Sequence, residues 1–260
     1  MCGILGEVVF HSNRLSDKDR FLSLLNLSIR RGPDYQNYYS NGQIHLGFNR
    51  LAVLDLSEYA NQPIHSPSGR YTMIFNGEIY NHIALRENLP KQYVFHSHGD
   101  TETLIACFEH YGMRKTTAKL DGMFAIGVWD NLEKKISLIR DFAGVKPLFY
   151  GFDGRILVFS SQYNQISRHP IFNQEPVNEK VLKLYLTQHF IPSPFGLLKN
   201  TYSVKPGEVI TFDEQGQKQS ELYWTFPEYN HHPDEDVEIM DQVENELDSA
   251  VQAELLSDVP

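Results

Sequence analysis

Between residues 122 and 160 four apolar runs follow one another: "MFAIGVWD", "KKISLIRD", "KPLFYGF" and "RILVFSS". The stretches between them, "DNLEKK" and "DFAGV" included, have turn composition. This repetition predicts strand, turn and strand again, and such strands need sheet partners. Other segments can provide them. Residues 2–10 read as a buried strand. Short β-like runs follow at 36–40, 44–48 and 51–55, then "YTMIFN" at 71–76, and "EVITF" and "SELYW" form a hairpin pattern around "DEQGQ". Helical segments fall between these groups. Ser16-Asp17-Lys18-Asp19 is a helix start with Phe21, Leu24, Leu25, Leu27 and Ile29 behind it, and "RRGPDY" (30–35) stops that helix. Further helices are expected over 81–89, from Asp100 to Tyr111 with Gly112 as the end signal, and from Asn178 to Gln188. Strand groups alternating with helices over roughly 210 residues imply layers of sheet and helix around one core.

The 260 residues suit one or two domains. A formal charge of −10 does not favour a duplex nucleic-acid binder, which needs a basic face, and Arg30-Arg31 and Lys134-Lys135 are no more than pairs. Two cysteines cannot build a disulfide framework and point to a reducing compartment. No apolar run approaches the ~20 residues of a membrane helix. The expectation is a cytoplasmic protein without a membrane partner.

At 226–236 the composition shifts to Pro, His and acid in "FPEYNHHPDED", which reads as a linker after a first domain over 1–225. In 237–260, Met240, Val243, Leu247, Val251 and Leu255 form a stripe at helical spacing. Such a stripe needs a partner surface, either the first domain or the rest of a second one.

Cys2 directly follows the initiator methionine. It can be a small buried hydrophobe, as most free cysteines are. Lipidation would need an apolar export segment upstream. The third reading is an N-terminal nucleophile. A small residue after Met permits removal of the Met, which leaves Cys2 with a free α-amino group of pKa about 7.7–8.0. That amine can take the proton from its own thiol, directly or through one water.

Neighbouring motifs complete a possible site. In "FNGEIYN" (75–81), placed where a strand ends and a helix begins, Asn76 offers a side-chain amide and Gly77 a backbone N–H for an oxyanion. The bland reading is an Asn-Gly turn. In "NRLAVLD" (49–55) Arg50 can grip a carboxylate in a bidentate pair, or form a surface ion pair. In "HGDTET" (98–103) Asp100 either caps a helix or holds a ligand ammonium. Together these groups match an amino acid with an amide side chain. Arg50 would hold its α-carboxylate, Asp100 and Glu78 its α-ammonium, and Cys2 would attack the side-chain carbonyl. Glutamine fits.

At this point the sequence resembles the N-terminal glutaminase domain of glutamine-hydrolysing asparagine synthetases, within the class II glutamine amidotransferases. The resemblance rests on "MCGI", "RRGPD", "NRLAVLD", "NGEIYN", "GDTE", "LDGMFAIGVWD", "RDFAGVKPLFYG", "PGEVITF" and "ELDSAVQAELLSDVP", in order and over almost the whole chain. It implies an α+β fold, the four-layer αββα sandwich of the N-terminal nucleophile hydrolases. It implies a glutamyl thioester on Cys2 and an oxyanion hole at Asn76 and Gly77. The implied glutamine pocket takes Arg50, Leu51, Val53, Leu54, Asn76, Gly77, Glu78 and Asp100, with the apolar three as wall or backbone contacts. Two positions depart from the family pattern: Arg30 stands where a histidine is usual, and Gln162 where a glutamate is.

Residues 1–260 contain neither G-x-G-x-x-G nor G-x-x-x-x-G-K, so no cofactor is expected for them. ATP and Mg²⁺ are expected only for a synthetase domain C-terminal to this chain, of which 237–260 would be the first helix. A homodimer is possible. Other expectations are a different ammonia acceptor, such as a sugar or peptide-like metabolite, or a glutamine-binding regulatory module. "HSH" (96–98) and "HH" (231–232) lack a second pair at ligand spacing, and no metal site is expected. Cys107 reads as core, and Phe142–Tyr150 as a hairpin.

Overall fold

The computed structural model describes residues 1–11, 13–228 and 236–259. In chain order the strands are β1 (Gly3–Val9), β2 (Tyr35–Ser40), β3 (Ile44–Arg50), β4 (Ile64–His65), β5 (Tyr71–Ile79) and β6 (Gly122–Asp130). They continue with β7 (Lys135–Arg140), β8 (Phe149–Phe152), β9 (Ile156–Ser160), β10 (Thr201–Ser203), β11 (Glu208–Phe212) and β12 (Lys218–Leu222). They form two six-stranded antiparallel sheets, ordered β10-β8-β9-β1-β3-β2 and β12-β11-β7-β6-β5-β4. The helices are α1 (Lys18–Leu25), α2 (His82–Glu87), α3 (Asp100–Tyr111), α4 (Met113–Thr117), α5 (Tyr163–Ser167), α6 (Glu179–Gln188) and α7 (Asp236–Glu254).

Strand alternation builds the layers, because successive side chains point to opposite faces of a sheet. On β6, Ala125 and Trp129 enter the cluster between the two sheets, while Phe124, Ile126 and Val128 enter the cluster against α3. On β1, Ile4 and Val8 face the other sheet and Leu5 packs with Phe21 and Leu25 of α1. The inner strands of both sheets are therefore buried on both faces, and the order helix, sheet, sheet, helix is the expected αββα sandwich. One ring sets the gap. Phe159 lies over Gly6 in its own sheet and reaches Gly127 in the facing sheet. A Cβ at Gly6 would meet the ring at 2.1 Å, and one at Gly127 at 2.5 Å.

Most expected elements are present. Asp17 caps α1 by accepting from the Arg20 N–H, and α3 ends at Gly112 with φ +80°. Three expectations are corrected. Residues 51–55 do not form a strand. β3 ends at Arg50, whose guanidinium donates to the carbonyls of Asp55 and Ser57 and curls the segment back. Asn76 and Gly77 are not in a turn, because β5 runs on to Ile79 and pairs them with Ala125 and Phe124 of β6. Phe142–Tyr150 is not a hairpin, because β7 and β8 belong to different sheets and this segment crosses between them.

The expected linker lies mostly outside the described residues, as do His231 and His232. On α7 the stripe residues Met240, Val243, Leu247 and Val251 are exposed, as is Leu255 just past its end. Its other side, with Ser249, Ala250 and Ala253, faces Tyr80, Phe142 and Val145 across a cavity of about 470 Å³.

Candidate active site

All nine singled-out residues, Cys2, Arg50, Leu51, Val53, Leu54, Asn76, Gly77, Glu78 and Asp100, line one cavity of about 230 Å³. They reach it from both sheets. Cys2 precedes β1 and Arg50 ends β3, in one sheet; Asn76, Gly77 and Glu78 lie on β5, in the other. Asp100 opens α3.

Cys2 is held tightly. Its thiol donates to the Leu51 carbonyl at 3.6 Å, and the Leu51 N–H donates to its sulfur at 3.4 Å. The Arg31 Nε–H donates to the Cys2 carbonyl at 2.9 Å. Burial pushes the thiol pKa up, against the opposing pull of Leu51 and Arg50. A thiol raised in this way is protonated at neutral pH and needs a base. Among the described residues no histidine lines the cavity. The α-amino group beside Cys2, carried by Met1, has its pKa lowered. Burial is the main cause, aided by the Arg31 and Lys146 charges and opposed by Cys2. Met1 itself is exposed.

Asn76 is the most telling side chain. It is 1% exposed, and its Nδ2 has no hydrogen-bond partner among the described residues. An unpaired buried amide typically costs about 1–3 kcal/mol, and such groups call for an explanation. Here the amide lines the cavity that holds Cys2. Gly77 is required for a different reason than a turn, since a Cβ there would meet the Met123 carbonyl at 2.1 Å.

Arg50 is partly committed to the protein. Nη1 donates to the Ser57 carbonyl at 2.8 Å and to Asn61 Oδ1 at 2.7 Å, and Nη2 to the Asp55 carbonyl. Its remaining donors, on Nε and Nη2, are the ones left for a carboxylate. Neither a surface ion pair nor full availability describes it.

Asp100 does not cap α3 with its side chain, as Gly99 is the N-cap. Its Oδ2 accepts from the Ile79 N–H at 2.9 Å and its Oδ1 from the Thr101 hydroxyl at 3.2 Å. Burial raises its pKa to about 6, with Glu78 adding to the rise and the Ile79 and Thr101 bonds opposing it. Glu78 is half-buried and also raised, by burial first, with Lys146 opposing.

Lys146 and Arg31 escaped the reading of the sequence. Lys146 is 6% exposed and lines the cavity. Burial lowers its pKa, against Glu78. The signal lay in "RDFAGVKP". The buried Asp141 carboxylate accepts from the Val145 N–H at 2.8 Å, the Lys146 N–H at 2.9 Å and the Phe124 N–H at 3.2 Å. These bonds pin the crossover so that Lys146 arrives beside Glu78. Arg30 is exposed, and its neighbour Arg31 makes the contact to Cys2.

The model of the glutamine amidotransferase domain family matches residues 1–224. The chain belongs to the glutamine amidotransferase family. It is 32% identical over 267 residues to asparagine synthetase [glutamine-hydrolyzing] 1 of Bacillus subtilis, covering all of this chain and 41% of that protein. It is 31% identical over 268 residues to asparagine synthetase [glutamine-hydrolyzing] 3 of the same organism, again covering all of this chain and 42% of the relative. The chain thus spans about two fifths of the length of these relatives. The solved glutamine phosphoribosylpyrophosphate amidotransferase of B. subtilis superposes with a TM-score of 0.63 at 17% identity, over 86% of this chain and 50% of that one. That likeness shows the shared fold. No helix among the described residues is long and apolar enough to cross a membrane.

Proposed function

We propose that this domain hydrolyses glutamine through a thioester on Cys2. The unpaired Asn76 amide beside the thiol carries the reading. With Met1 removed, the α-amine of Cys2 takes the thiol proton as sulfur bonds to the side-chain carbonyl carbon of glutamine. The carbonyl oxygen becomes an oxyanion facing the donors of Asn76 and Gly77. As it collapses, the C–N bond breaks and the ammonium returns its proton to the departing ammonia. Water then attacks the thioester, giving glutamate and restoring the thiol. Arg50 holds the substrate carboxylate, and Asp100 with Glu78 holds its ammonium, while Leu51, Val53 and Leu54 wall the pocket. Lys146 adds a nearby positive charge that favours a neutral amine and an ionised thiol.

The relatives' greater length supports the rest of the reading. The ammonia feeds an ATP-dependent amidation, with aspartate as the acceptor the relatives' names suggest. ATP and Mg²⁺ belong to a synthetase domain following residue 260. On this reading 1–225 is the glutaminase, 226–236 the linker, and the apolar stripe of α7 meets that domain. Cytoplasmic residence fits a free thiol in the site.

The test is intact mass after treatment with an electrophilic glutamine analogue, together with glutamate release. The expected outcome is a chain lacking Met1, one adduct on Cys2, and no glutamate from a folded Cys2→Ala variant. Glutamine hydrolysis at the parent rate by folded Cys2→Ala would end the proposal.

A further inference from the structure

The wall of the cavity is tied to a segment about two hundred residues away. After α7 the chain returns to the loop that follows β3. The Asp258 N–H donates to the Val53 carbonyl at 3.0 Å. Its Oδ2 accepts from the Asp55 N–H at 2.6 Å and from His98 Nε2 at 2.8 Å. Val53 and Leu54 line the cavity. Asp55 is 1% exposed, sits at φ +53°, and passes its carbonyl to Arg50. Its carboxylate accepts from the Ser57 and His98 N–H groups, each at 2.9 Å. His98 stands two residues before Asp100, and its Nδ1 lies 3.6 Å from Asp55 Oδ2.

One side chain therefore joins two walls of the cavity, the one carrying Arg50 and the one carrying Asp100. An Asp55 backbone in the left-handed region is a conformation that non-glycine residues rarely take without support from their surroundings. Asp258 supplies part of that support, at the N–H of the strained residue itself. The Asp258–His98 bond is charge-assisted when His98 is protonated, and Asp258 raises the pKa of that imidazole.

We propose that Asp258 is a positioning residue for the glutamine cavity. It fastens the Val53–Asp55 wall to His98, so that the segment following α7 sets the fraction of molecules whose cavity is shaped for glutamine. This inference rests on the reading of the cavity as a glutamine site. A site that is competent only part of the time shows an affinity reduced by that fraction. The cost of losing the clasp therefore falls on KM, while the thiol, Asn76 and the oxyanion geometry are left in place and kcat holds.

The experiment compares the whole parent chain with Asp258→Ala, Asp258→Asn, His98→Ala, the His98→Ala/Asp258→Ala double variant, and Asp248→Ala as a control on the exposed part of α7. Glutamine hydrolysis gives KM and kcat, and amide hydrogen exchange reports on residues 53–57. Asp258→Ala is expected to raise KM about tenfold, the loss of one to two hydrogen bonds' worth of order, with kcat within about twofold and faster exchange at 53–57. Asp258→Asn keeps an acceptor for the Asp55 N–H, and its KM is expected to lie between those of the parent and Asp258→Ala. His98→Ala combined with Asp258→Ala adds little to either alone, as expected for partners in one contact. Parental KM and parental exchange in Asp258→Ala would overturn the proposal, and so would a fall in kcat at constant KM. If the parent releases no glutamate, the glutamine reading fails, and unchanged or faster exchange still decides whether the clasp orders the wall.

Discussion

Two depressions differ in what their polar groups are doing. The larger, about 760 Å³, is an aromatic groove that includes Tyr59, His65, Tyr93, Phe95, Glu102 and Glu109. Its carboxylates are occupied. Glu102 accepts from the His96 and Ser97 N–H groups, and Glu109 from the Ser68 N–H and hydroxyl. The smaller, about 230 Å³, keeps an unpaired Asn76 amide and a thiol in need of a base, and holds Asp100 with its pKa raised by burial. Volume alone would choose the groove. Residual bonding capacity chooses the cavity, because groups that are costly to leave unpaired in the empty protein are the ones a substrate can satisfy.

The largest effect expected from this contrast is at Asn76. Asn76→Ala removes a donor with no partner among the described residues, so kcat for glutamate release should fall about 10²–10³-fold while the melting temperature drops little. An equal loss of stability and activity would make Asn76 a packing residue like those of the groove.

Asp100→Asn should divide stability from function. With a folded pKa of about 6, above its ordinary value, native Asp100 holds its proton where the unfolded chain has released it. Stability is then full at low pH and falls as pH rises through that window. The neutral variant escapes this cost and should gain roughly 1–3 kcal/mol at pH 7 by chemical denaturation. Its glutamine KM should rise at least about tenfold, because the charge proposed to hold the ammonium is gone. In the parent, KM should climb as pH falls below about 6, and the variant should lack that limb.

The smallest effect belongs to the groove. Glu109→Gln should cost about 0.5–1.5 kcal/mol in thermal unfolding and leave KM and kcat unchanged. Burial alone would raise the Glu109 pKa, but the bonds from Ser68 outweigh it and hold it low. Its contribution is therefore present above the ordinary carboxylate pKa and is lost as pH falls through the lowered one. A change in glutamine kinetics would show that the groove communicates with the cavity.

The layered fold was legible wherever two periodicities met. Alternation on β6 sorts Phe124, Ile126 and Val128 from Ala125 and Trp129, and Gly112 marks where α3 must end. Cys2, Arg50, Leu51 and Asp100 converge at or beside element ends, whereas Asn76 and Gly77 reach the same cavity from within β5. What escaped was set by distant partners. An apolar run, a turn and another apolar run read alike whether they form a hairpin or a crossover, and Asp141 bonding to Phe124 decided for the crossover. A turn stood as the bland alternative for Asn-Gly because no local signal says that a strand needs glycine; the carbonyl of Met123, distant in sequence, imposes it. Arg50 read as a free clamp, though much of its fork is spent on a loop that only the folded chain brings back.

Phe159 takes no part in the cavity, yet Cys2 and Asn76, the proposed nucleophile and oxyanion donor, stand on opposite slabs of the molecule. The aromatic spacer wedged between Gly6 and Gly127 therefore acts as a calliper, and sulfur and amide stay in register only as long as its thickness does. Trimming that spacer would detune a reaction it never touches.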